Sequence, residues 1–405
     1  MYYLRTLLCL SLLACGTAAA LPDAPRVDNP AQPAEPPEVL QLEELWRIGG
    51  EDDEDTLLGV VNQVLADDPG NLYLLDIQLL EVQVFSPDGV YERSLGHAGD
   101  GPGEFRRASS MLFMPDGTLG IVQQFPGRIV KLNLDGLPAG EIKLGGDDPT
   151  AGGFQILRSA VQHDGRLFVS GARMTREENQ RTAVNYIAPL DAATGPGHPF
   201  LEATTVRDFG KMTISEKAEY FPHQGGWTVG PDGQILVAPL RNTYEINSYS
   251  SDGQLERVIS RDYQSLDRTD AERTQVTENM IPRRRRNRGD VDVVVERTVR
   301  DILELRTDAT GRLWVLPSRG IKDQPEGIHS TWDVFDPQGS FQRTVAVACE
   351  GRGGQDALFF VGEDRVVLIK AHTEAMQAFR GQGQEQDAED IEARPLEVVV
   401  YRIAK

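Results

Sequence analysis

The residues of this 405-residue chain that can do chemistry are few and scattered. Histidines stand at His97, His163, His198, His223, His329 and His372, and no pair has the i, i+4 or short-loop spacing of a zinc site. There is no Gly-x-Ser-x-Gly elbow and no motif-level histidine partner for Cys349, so nucleophilic catalysis has no support in the sequence. Cys349 ends a Val-Ala-Val-Ala-Cys strand pattern and is expected as a small core or edge residue. The run Gly99-Asp100-Gly101-Pro102-Gly103-Glu104-Phe105 has the glycines of a phosphate loop. Such a loop needs a helix N-terminus behind it, and here the flanks read as strands, so a tight structural connection is expected.

Charge is the next signal. A net charge of −21 argues against nucleic acid as a ligand, because phosphate binding is driven by clustered Lys and Arg. Within this acidic chain, Arg283-Arg284-Arg285-Arg286-Asn287-Arg288 makes a basic island. Its plain reading is a solvated loop balanced by Asp290, Asp292 and Glu296. Its functional reading is a patch for an anionic surface, lipid headgroups or an acidic polysaccharide. The acidic runs Glu51 to Asp55 and Glu385 to Glu392 lack the ligand spacing of a calcium hand and are expected as rim loops.

The N-terminus is an address. Arg5 precedes the short apolar stretch Leu7 to Ala14, far below the ~20 residues of a membrane span, so residues 1–20 read as a secretory signal. Two cleavage sites compete. Leu12-Leu13-Ala14-Cys15-Gly16 resembles a bacterial lipobox, with Cys15 as the lipidated first residue of a membrane-anchored lipoprotein. Ala18-Ala19-Ala20 resembles an ordinary signal peptidase site, which releases a periplasmic or extracellular protein. Residues 21–39 carry six prolines and no apolar periodicity and are expected to be an extended tether. Beyond them Cys349 is the remaining cysteine, so the folded part, residues 40–405, depends on burial and not on disulfides.

The elements that must position any site come from a repeat. A polar turn leads into a β-branched or aromatic run at Asp68-Pro69-Gly70, Pro115-Asp116-Gly117, His163-Asp164-Gly165, Pro231-Asp232-Gly233, Ala309-Thr310-Gly311 and, in degenerate form, Glu363-Asp364-Arg365. Glycine supplies the positive φ of a tight hairpin. A second turn follows in most units, at Pro87-Asp88-Gly89, Leu134-Asp135-Gly136, Ser251-Asp252-Gly253 and Pro337-Gln338-Gly339. Two turns between alternating strands give four antiparallel strands, and six such units stack radially into an all-β, six-bladed β-propeller. Leu396 to Tyr401 supplies the third strand of the sixth unit, and Val39 to Ile48 is its missing fourth strand, closing the ring. An irregular insertion of about residues 261–297 contains a short helical pattern between Asp270 and Met280.

Val82-Gln83-Val84-Phe85-Ser86-Pro87-Asp88-Gly89, the Gly99–Phe105 run and Gly311-Arg312-Leu313-Trp314-Val315 carry a resemblance. They look like NHL-type repeats of the bacterial six-bladed propeller family of exported proteins and lipoproteins. The resemblance implies the fold strongly and an activity hardly at all. Related propeller lyases and lactonases hold zinc or calcium with side chains near the starts of the innermost strands. Arg158, His223, Arg300 and Asp301 are the central-channel candidates by that placement, with one histidine among them. The leading expectation is a monomeric, membrane-tethered module that binds a protein, peptide or glycan without a cofactor. The alternative is a metal-dependent hydrolase or lyase, lactonase-like or amidating-lyase-like.

Overall fold

The computed structural model describes residues 24–51, 53, 56–144, 154–210, 212–281, 291–381 and 394–404. Its strands group into six four-stranded antiparallel blades. Blade one is Val61–Ala66, Leu72–Asp76, Glu81–Phe85 and Tyr91–Leu95; blade two is Ala108–Phe113, Leu119–Gln123, Arg128–Leu132 and Pro138–Lys143. Blade three is longer, with Phe154–His163, Arg166–Glu177, Gln180–Asp191 and Leu201–Asp208. Blade four is Trp227–Val229, Ile235–Val237, Glu245–Tyr249 and Leu255–Arg261; blade five is Ile302–Thr307, Leu313–Pro317, Ile328–Phe335 and Phe341–Ala348. Blade six joins Ala357–Val361, Arg365–Lys370 and Glu397–Ile403 to the N-terminal strand Glu38–Gly49.

The second strands explain why blades must stack. Leu72, Tyr73, Leu74 and Leu75 are all fully buried, because alternate side chains enter different cores. Leu72 and Leu74 pack with Val367, Ile369, Val398 and Val400 of blade six. Tyr73 and Leu75 pack with Met111, Leu119 and Ile121 of blade two. The same division holds in blade six, where Val367 and Ile369 face blade one and Val366 and Leu368 lie with Leu358, Phe360 and Cys349. Cys349 is a half-buried free thiol at that packing layer. No blade can hide both apolar faces alone, so the ring is the unit of stability.

The N-terminal strand ties the ring in three places. Trp46 pairs with Val400 in an antiparallel ladder running from Leu42↔Ile403 to Gly49↔Glu397. Its earlier half, Glu38 to Gln41, runs parallel to Val345–Ala348 on the edge of blade five. The Trp46 indole donates to Pro87 O of blade one at 2.8 Å. Gly89 is required beside it: its φ is +84°, and a Cβ there falls 2.6 Å from the indole.

The proline-rich segment departs from its expectation as a free tether. Arg26–Asn29 pairs parallel with Val258 to Arg261 on the outer edge of blade four, and Ala34 N donates to Phe341 O of blade five at 3.1 Å. Backbone pairing needs no apolar alternation, and proline is tolerated along a sheet edge. Asn29 is the clasp. Its amide donates to Ser260 O and Gly339 O, both at 2.9 Å, and accepts from Phe341 N at 2.8 Å. Replacing it with Ala leaves buried backbone groups unsatisfied, a loss of about 1–3 kcal/mol. Urea unfolding of Asn29→Ala should show that loss at unchanged m-value, and an unaltered midpoint would contradict the clasp.

The Gly99–Phe105 run is the structural connection expected. His97–Ala98 and Glu104–Phe105 pair as short parallel strands, Glu104 accepts from Gly101 N at 2.8 Å and Phe105 is fully buried. The insertion holds the expected helix, Asp270–Met280, opened by a Thr269–Glu272 capping box. It also adds an unforeseen strand, Val291–Val294, parallel to Met212–Ser215. Among the described residues, no helix is long and apolar enough to cross a membrane.

Candidate functional site

The two faces of the ring are built differently. The turns that join strand one to two and three to four, such as Asp68-Pro69-Gly70 and Asp252-Gly253, all lie on one face. The opposite face receives every blade-to-blade crossover and every link from strand two to three. It therefore carries, among the described residues, 209–210, 212–226, 238–244, 262–281, 291–301 and 318–327 and the helix His372–Gly381, beside short links at 77–80, 124–127 and 178–179. Loops positioned by a rigid scaffold are where binding residues concentrate.

His223 sits in the crossover into blade four. Its Nδ1 lies 2.6 Å from Ser170 Oγ and its Nε2 3.1 Å from Asn185 Oδ1, both on blade three. Its carbonyl accepts from Ser159 Oγ and Trp227 Nε1, each at 3.0 Å. The Ser170–His223–Asn185 row has the outline of a nucleophile, base and orienter. Ser170, however, has no exposed surface, so no substrate atom can reach its hydroxyl. Burial first, and the Arg158 guanidinium second, push the imidazole down to about 3. The ring is a neutral strut between blades three and four.

Arg158 stands at the bulge of the innermost strand of blade three. Burial lowers its pKa, with no described carboxylate offsetting it. Arg181, in the third strand of the same blade, is lowered by burial and by Arg207 and Arg158, with Glu219 opposing. Glu219 is already engaged by a forked ion pair with Arg207, one arm of it Arg207 Nε at 3.1 Å. The Nε atoms of Arg158 and Arg181 are both buried without a hydrogen-bond partner. Arg181 also rests against the Phe209 ring, 5.9 Å from its centroid.

On the side of blade five, Arg300 donates to Leu303 O at 3.0 Å and is lowered by burial, with Tyr220 and Glu304 opposing and Arg241 adding to the fall. Burial pushes Glu304, on the innermost strand, up to about 7 against the pull of Arg306 and Arg300. Arg306 lies 3.9 Å from the Phe360 centroid. The structure thus joins Arg158 to His223 and sets Arg300 near Tyr220, three residues before His223 in the same crossover. Asp301 does not join them. Its backbone N donates to Arg241 O and its carbonyl accepts from Ser318 N, and burial raises its carboxyl against the pull of Ser265, Arg241 and Arg319.

A metal does not fit this set. Both His223 nitrogens are engaged, and the nearest charge is a guanidinium. Among the described residues, no three His, Cys, Asp or Glu side chains stand together in a way that could hold a metal ion. Glu216 is used structurally, gripped by Arg241 and by Arg268 at 2.7 Å, which clamps the insertion over blade four. A cleft of about 740 Å³ on blade six is lined by Arg47, Glu350, Lys370 and Glu397. These charges satisfy one another, with Arg47–Glu397 at 2.7 Å and Arg47–Glu350 at 3.1 Å.

Sequence reasoning proposed Arg158, His223 and Arg300 from their places beside innermost strands; Arg181 and Glu304 were not among its candidates. Arg181 sits near a hairpin tip that no turn motif marks, and Glu304 reads as an ordinary polar strand residue. Cys15 and Arg283 to Arg286 lie outside the described residues, as does the acidic run Glu385 to Glu392. On the loop-bearing face Phe125 and Phe154 form an exposed edge-to-face pair with centroids 5.2 Å apart.

Residues 48–152 match a family described as a 6-bladed beta-propeller, in keeping with the observed blades. Similar solved structures include a protein from Bacteroides fragilis described as exported, 14% identical with a TM-score of 0.48, covering 94% of this chain and 100% of that one. Another is a member of a family of unknown function from Bacteroides vulgatus, 10% identical with a TM-score of 0.48, covering 91% of this chain and 99% of that one. A virginiamycin B lyase from Staphylococcus aureus is 9% identical with a TM-score of 0.42, covering 89% and 99%. No curated protein sequence matches this chain. At such identities an activity does not transfer.

Proposed function

We propose that this six-bladed β-propeller is an exported, membrane-tethered binding module that presents its loop-bearing face to a glycan, peptide or protein. The observation that carries the reading is that the crossovers and the long, clamped connections of blades four to six all lie on one face of the ring. The residues beside the channel support binding over catalysis. His223 is locked as a neutral strut, Ser170 is sealed from solvent, and guanidiniums rather than metal donors stand next to them. Export and tethering rest on the leader and the Cys15 motif. Phe125 and Phe154 supply an exposed aromatic pair of the kind that anchors ligands.

Glycan and peptide arrays probed with the purified protein test the reading. Phe125→Ser with Phe154→Ser should weaken binding at least tenfold, while Leu137→Ser on the turn-bearing face should leave it unchanged. Equal losses from both faces would remove the loop face from the interaction. Zinc or calcium retained at one equivalent through dialysis would instead favour the hydrolase or lyase reading.

A further inference from the structure

Arg306 sits on the innermost strand of blade five, opposite Trp314 in the antiparallel ladder. Trp314 packs toward blade six, into a core shared with Phe360 and Leu40, and it takes Arg306 with it. The guanidinium stands 3.9 Å from the Phe360 centroid and 5.5 Å from that of Trp314. Phe360 is held in turn by Trp314 and Trp332, with centroids 6.0 and 5.6 Å away. A guanidinium stacked on a ring has one face closed and its N–H edge free. Here that edge makes no hydrogen bond or ion pair with a described residue. Burial lowers the Arg306 pKa to about 10, against the pull of Glu304 and Asp308. Asp308 is already engaged, accepting from Arg312 Nε at 2.8 Å and Trp314 Nε1 at 3.0 Å.

Arg306 lines a cleft of about 240 Å³ between blades five and six, on the turn-bearing face, whose walls include Trp314, Phe360, Val345, Ile403 and Leu40 of the closing strand. The other cations of the lining are spoken for: Arg312 by Asp308, Arg343 by Glu38 at 2.7 Å and Arg365 by Gly70 O at 2.7 Å. Glu363, also in the lining, is exposed, where water screens its charge. We propose that this cleft binds a small organic acid, with its carboxylate on the Arg306 edge and its apolar body against the aromatic and aliphatic walls. Two parallel N–H donors of a guanidinium match a carboxylate, and a carboxylate among apolar walls needs such a partner. The volume falls below the ~300–1,000 Å³ of pockets for drug-sized ligands, so the ligand is a single ring or short chain. The site lies on the face opposite the long loops and stands independently of the binding role proposed for them. Its lining joins blade five, blade six and the closing strand, so an occupant stabilises the seam of the ring.

Benzoate, benzamide and acetate are the probes, titrated calorimetrically into the purified protein at constant ionic strength. Benzoate should bind saturably at one equivalent and raise Tm. Benzamide keeps the shape without the charge, and acetate keeps the charge without the apolar body. Each should bind at least tenfold more weakly than benzoate. Arg306→Met fills the same space over Phe360 without the guanidinium and should weaken benzoate at least tenfold. Arg306→Lys keeps a charge but not the planar fork and should also lose most of the binding, which serves if the Met variant does not fold. Arg166→Gln, on the turn-bearing face of blade three, should leave benzoate binding unchanged. So should Phe125→Ser with Phe154→Ser, which separates a failure of the loop face from a failure of the cleft. A benzoate response no larger than that to acetate, or one matched by benzamide, overturns the site. Undiminished benzoate binding in either Arg306 variant does the same.

Discussion

Deleting residues 38–49 should lower the melting temperature by more than 15 °C or abolish cooperative unfolding. Leu40, Leu42, Leu45, Trp46 and Ile48 all pack into the cores of blades five, six and one. Half-burying five such side chains contributes roughly 5 kcal/mol or more, comparable with the whole net stability of an ordinary domain, about 5–15 kcal/mol. The deletion also exposes Glu397–Ile403 as an open edge, which invites association. Deleting residues 24–37 removes one short parallel pairing and the Asn29 clasp, and should cost a few degrees. Calorimetry on both truncations checks this, and a synthetic peptide of residues 38–49 should partly restore the first. Equal melting temperatures would sink the closing role of the strand.

Between pH 4.5 and 6.5, Glu304→Gln and His223→Gln should tilt the stability curve in opposite directions. His223 is held at about 3 in the fold, by burial and then Arg158, against an ordinary 6.5. The unfolded chain binds the extra proton first as pH falls, so this stability is complete above 6.5 and is lost toward 3, roughly 5 kcal/mol in all. Glu304 is the reverse, about 7 in the fold against 4.5, from burial first. The unfolded carboxyl loses its proton first as pH rises, so stability falls from 4.5 to 7, by roughly 3 kcal/mol. In the shared window the two slopes, each about 1.4 kcal/mol per pH unit, oppose each other. Relative to the parent, Glu304→Gln adds an upward slope with pH and His223→Gln a downward one. His329 and His372, also lowered by burial, cancel when each variant is compared with the parent. Urea unfolding at both pH values is the measurement, and parallel curves for parent and variants would refute the assignment.

The architecture was legible because hairpin turns advertise themselves. Gly70, Gly117, Gly165, Gly233 and Gly311 all adopt positive φ, and the β-branched runs behind them had nowhere to bury both faces except between neighbours. The closing strand was legible for the same reason, from alternation at Leu40, Leu42, Trp46 and Ile48. Arg26–Asn29 was not, since edge pairing through backbone and one amide leaves no pattern of side chains. Within the site, position along a strand could be read for Arg158, His223 and Arg300. The direction of each side chain, that of Asp301 included, could not. Nor could the sequence show which groups surround Arg158, because its neighbours are set by the crossover that carries His223.

The pinning of Arg26–Asn29 to the edge of blade four shortens any leash. If Cys15 carries lipid, Gly16 to Pro25 are the only residues between the anchor and the first fixed strand. Ten residues reach at most ~35 Å fully extended, about the width of a small domain. The propeller is then moored close to the bilayer by its rim, like a disk held at its edge, and neither face is the point of attachment. A partner approaching the loop-bearing face meets a surface confined to a thin shell above the membrane. Its encounters are set by lateral diffusion in that shell more than by free search through the surrounding volume.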